Sequence, residues 1–211
     1  TGGAKRLSYA ASFGKTNFDA ATTRVYQQML ASYDKITVRE DSAVQMLESW
    51  GAKNCYGQVL DPTLLLSADE WIDLLVYEEM QIKYASQKYI LVYQIHNDRQ
   101  LSSYALRLAA HTGLKLLRVN PFMHQVHRGG KFVLCPDVTE FLSLIKNATY
   151  IVTDSFHGTC FSLTFEKQFI EVLPNNTTGT RNQSILALTG LSNRIVYDFD
   201  DFSIINRMIN Y

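Results

Sequence analysis

Tyr89 to Ile95 reads Tyr-Ile-Leu-Val-Tyr-Gln-Ile, a near-continuous apolar run. A run this short and this rich in aromatic and β-branched residues fits a strand buried on both faces, as in a parallel sheet. Downstream of it, strand and helix patterns alternate. A helix is predicted over Leu101–His111, ending at Gly113, then a strand over Lys115–Val119. A helix follows over Thr139–Asn147, capped by Asp137 or Thr139, and then a strand over Tyr150–Thr153. His157–Phe165 reads as a helix, Phe169–Leu173 as a strand, and Asn182–Thr189 as a helix stopped by Gly190. Arg194–Tyr197 reads as a strand and Asp201–Tyr211 as a last helix. Such alternation implies an α/β fold with parallel sheets and helices on both sheet faces.

The first part of the chain holds only three strand–helix units. Its strands are expected at Arg6–Ser12, Lys35–Arg39 and Tyr56–Leu60, its helices at Ala20–Tyr33 and from Asp41 to Gly51. Ser67-Ala68-Asp69-Glu70 is a capping box ahead of Trp71 and Leu74. The polar stretch around residues 80–88 is the best domain boundary. We therefore expect two Rossmann-like domains, 1–85 and 86–211. Three units are few for an independent sheet, and Thr1-Gly2-Gly3 reads as a cut end. Both point to a first domain that is the remainder of a larger one.

Composition narrows the function. Of the 211 residues, 46% are hydrophobic and 19% charged, which excludes wholesale disorder. Lysine plus arginine equals aspartate plus glutamate at 20 each, so there is no basic footprint for nucleic acid. No apolar run approaches the roughly 18 residues of a membrane span, so no integral membrane segment is expected. Cys55, Cys135 and Cys160 are odd in number and far apart. They fit neither a zinc site nor a disulfide framework, and read as reduced, mostly buried thiols of a cytoplasmic protein.

The most informative segment for chemistry is Tyr150-Ile-Val-Thr-Asp-Ser-Phe-His-Gly-Thr159. An apolar strand ends in a polar turn and a helix begins at once. Ligands of open α/β sheets bind at such strand ends. Backbone N–H groups at Gly158 and Thr159 would suit an anion, Gly158 would permit close approach, and His157 could contact phosphate or move a proton. The same residues also fit a simple capping and packing turn. Arg39 follows a strand and precedes a helix, either holding a carboxylate or phosphate or pairing with Glu40 or Asp41. Arg181 lies in the polar loop from Pro174 to Gln183, as an anion contact or as part of a solvated loop. His124 and His127 lack a third metal ligand, and Phe122–Gly130 reads as a mobile loop with Arg128-Gly129-Gly130-Lys131 at its tip. His96-Asn97-Asp98 ends the strong strand, as a lining of the same cleft or as an ordinary strand-to-helix loop. No dinucleotide fingerprint, phosphate-binding loop or nucleophile elbow is present.

Taken in order, several pieces resemble the polysaccharide pyruvyl transferase family. They are Ser8–Gly14, Ile36–Ser42, Val59–Leu66, Glu140–Ala148 and Val152–Thr159. The resemblance spans nearly the whole chain. It implies two Rossmann-like domains in a GT-B-like arrangement, with the N-terminal domain truncated here. It implies transfer of pyruvate from phosphoenolpyruvate to a sugar of a surface polysaccharide or its precursor, usually as a ketal, with no metal or other cofactor. His157 matches the family histidine and is expected to be catalytic. Arg39, Asp154, Ser155, Gly158, Thr159 and Arg181 are expected to bind substrate. Some members carry Arg-Leu-His where this chain has Ser155-Phe156-His157, which bears on the donor. The alternatives are a GT-B glycosyltransferase using a nucleotide-activated sugar and a noncatalytic ligand-binding fragment. A homo-oligomer is compatible with all three.

Overall fold

The structure, a computed structural model, describes residues 3–74, 84–174 and 179–211. The chain divides into two compact units, and the division is not the contiguous one expected at residue 85. The first unit holds residues 3–65 and 179–192, the second 66–74, 84–174 and 193–211. Trp71, expected with the first domain, packs edge-on against Phe161 of the second unit at 5.3 Å. The helix after residue 179 rejoins the first unit. A chain that leaves a unit and returns leaves no compositional mark. Part of the polar stretch 80–88 lies outside the described residues.

The first unit is a three-stranded parallel sheet in the order β1-β2-β3, with β1 Leu7–Ala11, β2 Lys35–Val38 and β3 Cys55–Gln58. Helix α1 (Ala20–Leu30) starts where the Asp19 carboxylate accepts from the Thr22 N–H at 2.8 Å. Helix α2 (Asp41–Ser49) buries Ala43 and Leu47 against Ile36 and Val38, and Met46 is buried as well. The capping box at Ser67 forms as read and opens α3 (Ala68–Asp73), in the second unit.

The second unit carries the stronger sheet. Its strands are β4 Tyr89–Tyr93, β5 Lys115–Asn120, β6 Lys131–Leu134, β7 Tyr150–Thr153 and β8 Phe169–Glu171. They pair in parallel in the order β6-β5-β4-β7-β8. Counted along the chain this is 3-2-1-4-5, the order of a Rossmann sheet. Ile90, Leu91 and Val92 are wholly buried at its centre, which is why the segment reads as continuous apolar. Helices α4 (Arg99–Thr112), α5 (Val138–Asn147) and α6 (Phe156–Thr164) alternate with the strands, while α7 (Thr180–Leu188) belongs to the first unit. Leu101, Tyr104, Ala105 and Leu108 of α4 join Ile90, Val92 and Val152 in the main core.

Three expectations are corrected. Residues 122–130 are not a loose loop. Gln125 is fully buried and donates to the Gln94 carbonyl at 3.1 Å, and Arg128 donates to the Asp98 carbonyl at 3.1 Å. The segment leads into the unpredicted strand β6. Gly130, at φ +83, passes so close to Leu116 that a Cβ would stand 2.9 Å from its carbonyl oxygen. Arg194–Tyr197 is no strand; it contributes one bridge, Ile195 to Glu171. Asp201–Tyr211 is no long helix, having only a 3-10 turn at Ser203–Asn206. The cause is Arg194. Its buried guanidinium takes the carbonyls of Phe169, Ile204 and Arg207 at 2.6–3.0 Å, fixing the tail in an irregular path. None of the three cysteines is in a disulfide: Cys160 is buried, Cys55 half-buried, Cys135 exposed. Among the described residues no helix is long and apolar enough to cross a membrane. Leu108→Ala would open a cavity in the main core and should cost roughly 2–5 kcal/mol in urea denaturation.

Candidate functional site

β4 and β7 are neighbours, and the strand order reverses between them. Loops leaving the two strands there diverge to opposite sides and leave a crevice at their carboxyl ends. The loop after β4 begins at Gln94, Ile95 and His96, and the turn after β7 is Asp154-Ser155. Asp154 is 2% exposed. Its carboxylate accepts from the N–H groups of Ile95 at 2.6 Å and His96 at 2.9 Å, and lies 3.2 Å from the His96 ring Nδ1. Burial pushes this carboxyl above the ordinary 3.8, against the pull of the two N–H donors and His96. Asp154 thus holds the crevice walls together.

Ser155 is the N-cap of α6, and its hydroxyl accepts from the Gly158 N–H at 3.3 Å. The Thr159 N–H goes to the Ser155 carbonyl at 3.0 Å. The two N–H groups expected to meet an anion are therefore used within the turn. Thr159 is fully buried and its hydroxyl donates to Glu171 at 2.5 Å. Gly158 is glycine for a packing reason. A Cβ there would overlap the Thr153 hydroxyl and stand 3.0 Å from the Tyr93 ring. Burial makes the Tyr93 hydroxyl harder to ionise.

His157 differs from all of these. It is exposed, in the first turn of a nine-residue helix whose neighbours Phe156, Gly158 and Thr159 are buried. The positive end of the helix dipole lies beside it. An imidazole there meets solvent at a strand-order reversal, where it can donate to an anion or exchange a proton.

Arg39 and Arg181 belong to the first unit. Arg39 stands just past β2 and ion-pairs with Asp61, just past β3. Burial raises the Asp61 carboxyl, but the N–H and hydroxyl of Thr63 and the Arg39 guanidinium outweigh it and hold the group below 3.8. Arg181 lies in the first turn of α7, partly buried. Residues 175–178 of the loop before it lie outside the described residues.

Several polar residues at this edge were not singled out from sequence. Glu171 is a wholly buried carboxylate in β8. Gln94 accepts from the Ser102 hydroxyl at 2.9 Å and from buried Arg118 at 3.1 Å. Desolvation, with Arg128 nearby, brings the Arg118 guanidinium down to about 10. The available signal was a single polar residue inside an otherwise apolar strand. Among the described residues, no cluster of three or more His, Cys, Asp or Glu side chains is placed to hold a metal.

Two stability tests follow. Gly158→Ala should destabilise by about 1–3 kcal/mol through overpacking on Thr153, measured by urea denaturation. Asp61 has a depressed folded-state pKa, so its stabilisation is present above 3.8 and is lost as pH falls through the lower folded value. Asp61→Asn should therefore be less stable than wild type at pH 7, with the gap closing under acid. A gap independent of pH would contradict this role.

A profile of the polysaccharide pyruvyl transferase family matches residues 2–177. No curated protein sequence matches the chain. Among solved structures, the Methanocaldococcus jannaschii UDP-GlcNAc 2-epimerase in complex with UDP-GlcNAc and UDP is similar at TM-score 0.58 and 14% identity, over 86% of this chain and 56% of that one. The Neisseria meningitidis UDP-GlcNAc 2-epimerase bound to UDP-GlcNAc gives 0.58 and 12%, over 84% and 53%. The S. aureus MnaA–UDP co-structure gives 0.55 and 15%, over 90% and 62%. The chain thus spans between about half and three-fifths of the length of these structures. At such identities the likeness is one of fold, the Rossmann-like α/β class with GT-B neighbours. With the profile covering most of its length and including the Asp154–Thr159 turn, the chain belongs to the polysaccharide pyruvyl transferase family.

Proposed function

We propose that this chain provides the donor site of a transferase that moves pyruvate from phosphoenolpyruvate to hydroxyls of a sugar in a surface polysaccharide or its precursor, usually as a ketal. The observation that carries the reading is the exposed His157 at the start of α6, at the strand-order reversal and inside the family match. The work divides among the chain's own residues. Asp154, Ser155, Gly158 and Thr159 shape the turn and join it to β4 and β8, so that they serve the substrate through backbone geometry. His157 contacts the phosphate and takes part in proton transfer. Protonation of the enol methylene makes the adjacent carbon electrophilic; sugar hydroxyls add there, release their protons, and phosphate departs. No metal or cofactor enters this scheme. Arg39 and Arg181 are assigned to anion contacts, and we place the chemistry in the cytoplasm.

A second reading has one supporting observation: the similar structures hold UDP or UDP-GlcNAc. A nucleotide-activated sugar is the corresponding ligand. Calorimetric titration separates the two. Phosphoenolpyruvate should bind the wild-type protein, and His157→Ala should weaken it by roughly 10- to 100-fold, the worth of a charge-assisted hydrogen bond. Arg39→Ala should weaken it as well. Binding of UDP-GlcNAc with no binding of phosphoenolpyruvate would transfer the chain to the second reading.

A further inference from the structure

The first unit has a cavity of about 430 Å³ at the carboxyl edge of its sheet, between the start of α2, the end of β3 and α7. Its polar wall is a connected set. The Ser184 hydroxyl oxygen accepts from the Asp41 N–H at 3.2 Å and from the Gln58 side-chain amide at 2.8 Å. Gln58 gives its other amide hydrogen to the Arg39 carbonyl at 2.8 Å. Both amide hydrogens are then used and the Gln58 carbonyl oxygen remains to accept. Ser184, having accepted twice, retains its hydrogen to donate. One Asp41 carboxylate oxygen accepts from Gln45 at 2.6 Å and the other remains. Thr180, also on the wall, has a buried hydroxyl with no hydrogen-bond partner. Buried hydroxyls are nearly always partnered, and an orphan on a cavity wall marks a place where a ligand atom completes the bond. Ala187 and exposed Leu188 supply an apolar side.

The chemistry of the wall selects the ligand. Among the described residues lining it there is no lysine or arginine, and Asp41 repels anions, so neither phosphate nor carboxylate fits. Among the same described residues there is no aromatic ring to stack a nucleobase. What remains is alternating donors and acceptors beside a small apolar patch. Adjacent hydroxyls on a neutral ring, each both donor and acceptor, match that pattern, and the ring's C–H face matches Ala187 and Leu188.

We propose that this cavity is a saccharide subsite that takes one neutral pyranose ring of the acceptor through vicinal hydroxyls. The assignment rests on the reading of the chain as acting on a sugar. It goes beyond that reading in naming the subsite: Thr180, Ser184, Gln58 and Asp41 contact the ring.

Saturation-transfer NMR on the wild-type protein with methyl β-D-galactopyranoside, methyl β-D-glucopyranoside and methyl α-D-mannopyranoside at millimolar concentration tests it. At least one glycoside should receive saturation in its ring protons. Ser184→Ala should weaken that glycoside by about fivefold, the worth of one hydrogen bond. Ala187→Trp, on an exposed helical position, fills the cavity without touching the polar set and should abolish transfer, with circular dichroism confirming the fold. No transfer to any of the three glycosides, or transfer that persists in Ala187→Trp, would overturn the subsite. Phosphoenolpyruvate titrated into the same wild-type sample distinguishes the two assignments. Glycoside binding without phosphoenolpyruvate binding removes the donor and leaves the subsite standing. The reverse removes the subsite alone.

Discussion

The second unit turns on one buried carboxylate. Asp154 stands just past β7, yet both its oxygens accept from the backbone leaving β4. Parallel strands are joined by their ladder only as far as the ladder runs. Beyond Tyr93 and Thr153 the two chains must part, because their crossovers go to opposite sides of the sheet. Asp154 bridges that parting. Its position fixes where Ser155 caps α6, where α6 points, and which residue of its first turn faces water. The cost is desolvation, visible in the upward push on the Asp154 carboxyl.

That arrangement separates the buried residues of the turn from the exposed one. Ser155, Gly158 and Thr159 all have intramolecular duties: a cap, a close approach to β7, and a hydrogen bond to Glu171. Each was a reasonable ligand contact when read as a polar or small residue in a loop. Tertiary packing claims them instead and leaves His157 outward. The groups of the turn, each already bonded or packed, have little freedom to reorganise.

Other buried polar residues follow the same logic. Arg118 and Arg194 are among the largest wholly buried side chains. Neither forms a simple ion pair; each collects carbonyl or amide oxygens, Arg118 from Gln94 and Gly129, Arg194 from β8 and the C-terminal tail. Arg118 gathers the 122–130 segment, and Arg194 gathers the C-terminal tail. A guanidinium with five donors can replace a ladder or a helix as the place where backbone carbonyls are satisfied. For that reason Asp201–Tyr211, read from sequence as a last helix, follows an irregular path instead.

Elements whose burial is periodic are legible in the residues alone. These are the continuous apolar strand at Tyr89, the α/β alternation around it, the cap at Ser67, and the strand–turn–helix at Tyr150–Thr159. Local patterns of burial and capping are written in neighbouring residues, so they are legible without coordinates. The tertiary structure alone decided that β7 lies beside β4, that α7 returns to the first unit, and that Arg39 meets Asp61. It also decided which residue of the Asp154–Thr159 turn remains exposed. Those outcomes depend on contacts between residues far apart in the chain, such as Asp154 with Ile95 and Thr159 with Glu171. Side-chain hydrogen bonds of that range leave no periodic signal in the residues between.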